Sequence, residues 1–130
     1  MKIRISELQN RGDARGVSFS PPADALAFLG RLADMYVAST LPGEVRGNHF
    51  HLHKRQVIVV LPGTAWSLHF DQGEGTPVEH RSFDGGAAVL VLVSAGASQA
   101  VRNDGDRALW MVVGSSEAYD PASIVARKVI

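Results

Sequence analysis

At 130 residues, 45% hydrophobic and 20% charged, the chain has the size and balance of one globular domain spanning residues 1–130. Lys plus Arg and Asp plus Glu each number 13, which argues against a generally basic nucleic-acid surface and a polybasic membrane surface but leaves room for a local anion site of one or two arginines. The absence of cysteine excludes disulfides, thiolate metal sites and cysteine nucleophiles. The opening stretch MKIRISELQN has no apolar core of signal-peptide length, and the longest apolar run, Ala87–Val93, is far short of a membrane span. A cytoplasmic protein without membrane contact is the expectation.

In chain order, the first expected element is a helix over Pro21–Leu29, PPADALAFL, with Ser20 as its cap and Pro21 at the first helical position. Gly30 interrupts the run, and RLADMYVAS (31–39) reads as a strand. A strand is expected over 46–53, RGNHFHLH, and another over 56–61, apolar on both faces and stopped by Pro62-Gly63. TAWSLHF (64–70) follows and ends at the turn DQGEG, and VEHRSF (78–83) alternates weakly before Asp84-Gly85-Gly86. AAVLVLV (87–93) has the composition of a buried strand, ALWMVVG (108–114) follows the turn NDGD, and the tail EAYDPASIVARKVI is a candidate terminal strand. Short strands with regular turn signals and one short helix indicate an all-β sandwich or barrel. Because Val57, Val59 and Leu61 face opposite to Ile58 and Val60, one face lines the barrel and the other must meet another sheet or subunit. A homodimer is expected on that ground.

His49, His51 and His53 stand at every second position and account for most of the chain's 5 histidines. On a strand they would share one face, and imidazole titrates near neutrality without tuning, so the row is a candidate for proton transfer. Hydrogen-bonded barrel histidines with no catalytic role are the plainer alternative. His53-Lys54-Arg55 reads as a solvated loop, His69 and His80 as structural, Trp66 and Trp110 as core, and Asn103 as a turn residue.

The spacing around the row is more specific. Gly43, five residues, His49, one residue, His51, four residues, Gln56, six residues and Gly63 together resemble the first motif of the cupin superfamily. SAGASQAVRN (94–103) resembles the second motif, with Gly96 and Asn103 in place, Ser94 where proline is usual and Gln99 where histidine is usual. The resemblance implies a cupin jelly roll, a double-stranded β-helix with a pocket inside the barrel. Metal-binding cupins use His, His, Glu and His where this chain has His49, His51, Gln56 and Gln99. Amide oxygens are weak ligands for transition metals, so the expectation is no bound metal and no cofactor.

VRGNHFH...KRQVIVVLPG is similar to the RmlC-like branch of sugar-nucleotide enzymes that includes the dTDP-4-keto-6-deoxyhexose 3,4-ketoisomerases, and VRGNH also resembles the 3,5-epimerases of the rhamnose pathway. RGNHFH further resembles the epimerising cupin domain of capsular-sugar reductases. GDARGVSF (12–19), ADMYVAS (33–39) and SSEAYDP (115–121) resemble segments of the ketoisomerases more loosely. This implies an isomerase or epimerase that binds a nucleotide-diphosphate sugar and removes a proton next to its C4 ketone, with 3,4-ketoisomerisation foremost. The candidate catalytic residues are His49, His51 and Tyr36, and the candidate substrate-binding residues are Arg46, Gln56, Gln99 and Arg15. Strict alternation sets Arg46 on the face opposite His49 unless Gly47 marks a bulge. A non-catalytic sugar- or small-molecule-binding cupin and a metal-dependent cupin with a reduced ligand set remain the alternatives.

Overall fold

A computed structural model describes residues 1–130. The chain folds into two antiparallel five-stranded sheets packed face to face, the jelly-roll architecture expected from the cupin spacing. The strands are β1 (Ile3–Glu7), β2 (Asp34–Thr40), β3 (Val45–His51), β4 (Gln56–Val60), β5 (Trp66–Phe70), β6 (Glu79–Phe83), β7 (Val89–Val93), β8 (Gln99–Asn103), β9 (Leu109–Ser115) and β10 (Ile124–Ala126). One sheet runs β1-β7-β4-β9-β2 and the other β10-β3-β8-β5-β6. No helix is long and apolar enough to cross a membrane.

Alternation assigns the two faces. From β7, Val89, Val91 and Val93 point into the sandwich, where they meet Ile58 and Val60 of β4, Met111 and Val113 of β9, and Trp66, Leu68 and Phe70 of β5. Trp66 is fully buried and stacks on Phe83, with ring centroids 4.3 Å apart. The opposite face of the first sheet carries Leu90, Leu92 and Val57, which pack under the helix α1 (Ala23–Leu29) through Ala25 and Leu29. The apolar outer face of β4 therefore meets the chain's own helix, so the ground on which a dimer was expected does not hold.

α1 begins two residues later than the sequence suggested. Its N-cap is Pro22 with no side-chain cap, so Ser20 does not serve that role. Gly30 ends it with φ of 79°, its N–H reaching the Leu26 carbonyl at 3.1 Å. β2 occupies 34–40 rather than 31–39. β1 was not expected from the sequence, and β8 was legible only as the second motif. Trp110 lies on an outer face, 48% exposed, rather than in the core. His80 lies within β6, stacked on His69 with centroids 5.5 Å apart.

Candidate active site

β3 carries the site, and its geometry depends on a bulge. Arg46 pairs with Val101 of β8, but the register shifts between Gly47 and His49, so that His49 pairs with Gln99. The extra residue turns Arg46 and His49 to the same inner face, which strict alternation forbids. Two residues make the bulge. Gly47 has φ of 115°, and a Cβ there would stand 2.4 Å from the Gln99 carbonyl oxygen, so only glycine fits. Asn48 has φ of 60°, tolerated best by asparagine among side-chain-bearing residues. Its Oδ1 accepts from the Val129 N–H at 2.9 Å and the Ile130 N–H at 3.2 Å, which ties the bulge to the C-terminal segment.

Beneath the bulge lies a cavity of about 380 Å³ between the two sheets. Its polar lining is Tyr36, Arg46, His49 and Gln99, and its apolar lining includes Ala38, Ile58, Val101, Met111 and Val113. Tyr36 arrives from β2 of one sheet, whereas His49 and Arg46 arrive from β3 of the other. The Arg46 Nε donates to the Ser39 carbonyl at 2.7 Å, which holds the guanidinium at the rim.

His51 shares the face of His49, with ring centroids 5.0 Å apart at 66°. It is 6% exposed, both ring nitrogens lack a hydrogen-bond partner, and it does not line the cavity. Gln56 is buried beside it, its amide donating to Ser115 Oγ at 3.2 Å, and also stands outside the lining. His53 is exposed in the loop after β3. Lys54, read from the sequence as solvated, is 6% exposed instead, and its positive charge acts on both imidazoles. A lysine flanked by polar loop residues carries no sequence signal of burial. Arg15 lies outside the cavity, on a surface loop where it pairs with Asp13 at 2.8 Å and remains 91% exposed. That loop closes on itself through the Asp13–Gly16 bridge and the Asn10 side chain.

Burial sets the protonation states. His49 is pushed down from its ordinary value by burial and by Lys54, with the Gly47 backbone opposing. Burial, Lys54 and His49 lower His51 to about 4. The Tyr36 hydroxyl is pushed up by burial and by Asp34, with Arg46 opposing. Near neutral pH the site therefore presents a neutral imidazole and a protonated phenol.

The lowered histidines couple stability to pH. The unfolded chain binds protons near pH 6.5 that the folded chain refuses until about pH 4 at His51. Stability is thus fully present above pH 6.5 and falls as pH drops towards 4, by at most about 3 kcal/mol from His51. Urea unfolding from pH 7 to pH 4 should show this loss, and His51→Gln should flatten it.

The donor set does not fit the metal that metal-binding cupins carry. No group of three or more His, Cys, Asp or Glu side chains is placed to share an ion, and the remaining motif positions are the neutral amides Gln56 and Gln99. Elemental analysis of purified protein should find no stoichiometric zinc, iron or nickel. About one metal per chain, lost on His49→Ala, would overturn that expectation.

Known proteins share this framework. No curated protein sequence matches the chain. Among solved structures, the chain is similar to ChmJ, a 3'-monoepimerase from Streptomyces bikiniensis seen with dTDP-quinovose (TM-score 0.79, 23% identity, 96% of this chain and 69% of that one). It is also similar to NovW, a 4-keto-6-deoxy sugar epimerase of the novobiocin cluster of Streptomyces spheroides (TM-score 0.77, 25% identity, 96% and 68% covered). The QdtA 3,4-ketoisomerase of Thermoanaerobacterium thermosaccharolyticum, seen with TDP, aligns at TM-score 0.68 and 14% identity over 95% of this chain and 86% of that one. Residues 27–124, well over half of the chain, match the family described as the polysaccharide biosynthesis C-terminal domain. The jelly roll, the His-x-His strand and this match together make the chain a member of the polysaccharide biosynthesis C-terminal domain family, within the RmlC-like cupins.

Proposed function

We propose that the chain is a sugar-nucleotide epimerase that inverts a carbon next to the C4 ketone of a dTDP- or UDP-linked 4-keto-6-deoxy sugar. The observation that carries this reading is that His49 and Tyr36 enter one cavity from different sheets. A sugar held between them meets a base on one side and an acid on the other. The neutral His49 imidazole takes the proton from carbon, and the electron pair moves onto the ketone as an enolate. The Tyr36 hydroxyl then delivers a proton to the opposite face of the same carbon, and the imidazolium and phenolate reset through solvent. Arg46 at the rim supplies positive charge for the enolate or the diphosphate, and Gln99 offers an amide to a sugar hydroxyl. The apolar lining, Ile58, Val101, Met111 and Val113, suits a deoxy sugar's methyl group.

This differs from a relay between His49 and His51, the arrangement a 3,4-ketoisomerase reading asks for. A relay needs both imidazoles at the substrate, and His51 does not line the cavity. His51 and Gln56 instead support His49 and Tyr36 from behind. The epimerases among the structural neighbours are consistent with inversion.

Tyr36→Phe separates the two reactions. The variant should still exchange the substrate's proton with solvent through His49, while formation of the inverted sugar falls by about 10²-fold or more. A wild-type product that carries its ketone at C3, formed equally well by Tyr36→Phe, would replace epimerisation with ketoisomerisation.

A further inference from the structure

The bulge of β3 is held from behind by residues 124–130. Ile124, Val125 and Ala126 of β10 pair with His51, Phe50 and His49. Beyond β10 the chain stays against the bulge. The Arg127 N–H donates to the Asn48 carbonyl at 2.9 Å, and Asn48 Oδ1 accepts from the Val129 and Ile130 N–H groups. A bulge leaves its extra residue without a partner in the ladder. Here that residue is Asn48, and this segment supplies the partners that β8 does not.

Arg127 also reaches the neighbouring strand. Its guanidinium lies over the Phe50 ring, 4.2 Å from the centroid, and Nη1 donates to Asp71 Oδ2 at 3.2 Å. Asp71 follows β5 and is 3% exposed. It is fixed to the residue that precedes β8. Its N–H donates to the Ser98 carbonyl at 3.1 Å, and its Oδ1 accepts from the Ser98 N–H at 3.0 Å. Oδ1 accepts from the Gly73 N–H as well, at 3.0 Å. Gln99, the residue after Ser98, is the partner of His49 and lines the cavity. One ion pair therefore joins the bulged half of β3, to which Arg127 is bonded, to the start of β8, to which Asp71 is bonded.

We propose that Arg127 is a positioning residue whose pairing with Asp71 selects the bulged register of β3, in which Arg46 and His49 face the cavity together. The competing register has no bulge. Asn48 then lies opposite Gln99, and the half of β3 from Asn48 to His51 slides along β8 by one residue, about 3.3 Å. Arg127 and Phe50 travel with that half, whereas Asp71 stays with Ser98, so the slide draws the guanidinium off the carboxylate. A buried ion pair adds little net stability over neutral groups of like size, but separating its members leaves a buried charge alone. The pair thus discriminates between registers more than it stabilises the fold.

The test replaces the ion pair with neutral groups. Asp71→Asn/Arg127→Met keeps an amide oxygen for the Gly73 and Ser98 N–H groups and leaves no buried charge unpaired, so the urea midpoint should stay near that of wild type. Cross-strand NMR contacts read the register in the free protein. Wild type should give one set of signals, with His49 opposite Gln99. The double variant should give a second, major set with Asn48 opposite Gln99, and Arg127→Lys, which keeps a cation at Asp71, should return to one set. A second readout rests on the reaction proposed above. Turnover should follow the fraction of chains left in the bulged register, so kcat/KM of the double variant falls by about 10-fold and that of Arg127→Lys recovers. The NMR readout uses no ligand, so a wild type without turnover removes the proposed reaction and leaves the register test standing. A folded double variant with the wild-type register alone would overturn the proposal. So would a fall in turnover that merely tracks a fall in the urea midpoint. Arg127→Gln, which keeps a donor but not the charge, decides the matter if the double variant does not fold: it should also show the second set, and its absence would overturn the proposal.

Discussion

His49→Ala should lower turnover of a nucleotide-linked 4-keto sugar by about 10²–10⁴-fold while leaving its binding within a few-fold of wild type. His49 is the one imidazole in the cavity lining, and burial keeps it neutral and ready to accept a proton. Its removal would take away the proposed base but leave Arg46 and Gln99, the residues proposed to hold the ligand. His51→Ala should act differently. It leaves a hole behind His49, so the expected result is a partial loss of turnover accompanied by a loss of stability. His53→Ala should change neither, because that side chain is exposed in the following loop. Steady-state kinetics of the three variants, with calorimetric or fluorescence titration of dTDP-sugar, checks all three outcomes. Equal damage from His53→Ala and His49→Ala would place the chemistry elsewhere.

Gly47→Ala should damage both the fold and the site. The added Cβ would stand 2.4 Å from the Gln99 oxygen and 2.8 Å from the Ala100 Cα, both backbone atoms that cannot swing away. The backbone φ of 115° is itself unfavourable for alanine. Relief requires β3 to leave β8 or the bulge to close, and closing it turns Arg46 to the face opposite His49. The expected cost is at least about 2 kcal/mol of stability, a fall in the urea midpoint of about 1 M. Sugar-nucleotide binding should weaken as well, because Arg46 leaves the rim. A Gly47→Ala protein with wild-type midpoint and binding would show that the bulge does not set the site.

Much of this fold was legible because alternation and turn chemistry agree along the chain. VLVLV at 89–93 is apolar at every position because it is covered by the core on one side and by α1 on the other. The same argument misled at β4. Two apolar faces do require two partners, but the second partner is the chain's own helix, which strand periodicity cannot reveal. β1 was missed because IRISE is short and charged, with Arg4 on its outward face and Glu7 at its exposed end, the ordinary composition of an edge strand. At the site, His49 and Gln99 were legible through motif spacing and Arg46 and Tyr36 through the family resemblance, and the four do meet in one cavity. Arg46 was the uncertain member, because only the bulge at Gly47 reconciles it with His49, and a bulge breaks the period on which strand reading depends. Three other residues were harder to place. His51 fits the row but is buried outside the cavity lining, Lys54 is buried without any apolar signal, and Arg15 is spent on a loop pair with Asp13. Depth and loop closure are tertiary properties, and spacing carries no trace of them.

In the proposed reaction His49 removes a carbon-bound proton next to a sugar ketone. Deuterium wash-in tests it most directly. The wild-type chain is incubated in D2O with a panel of dTDP- and UDP-linked 4-keto-6-deoxy sugars, and the ring carbons are followed by NMR. At least one sugar should gain deuterium at a carbon adjacent to C4, with inversion there, and His49→Ala should abolish the gain. Binding of a sugar nucleotide in a His49-dependent manner, with no exchange at any carbon of any sugar, would contradict it and leave a binding module in place of an enzyme.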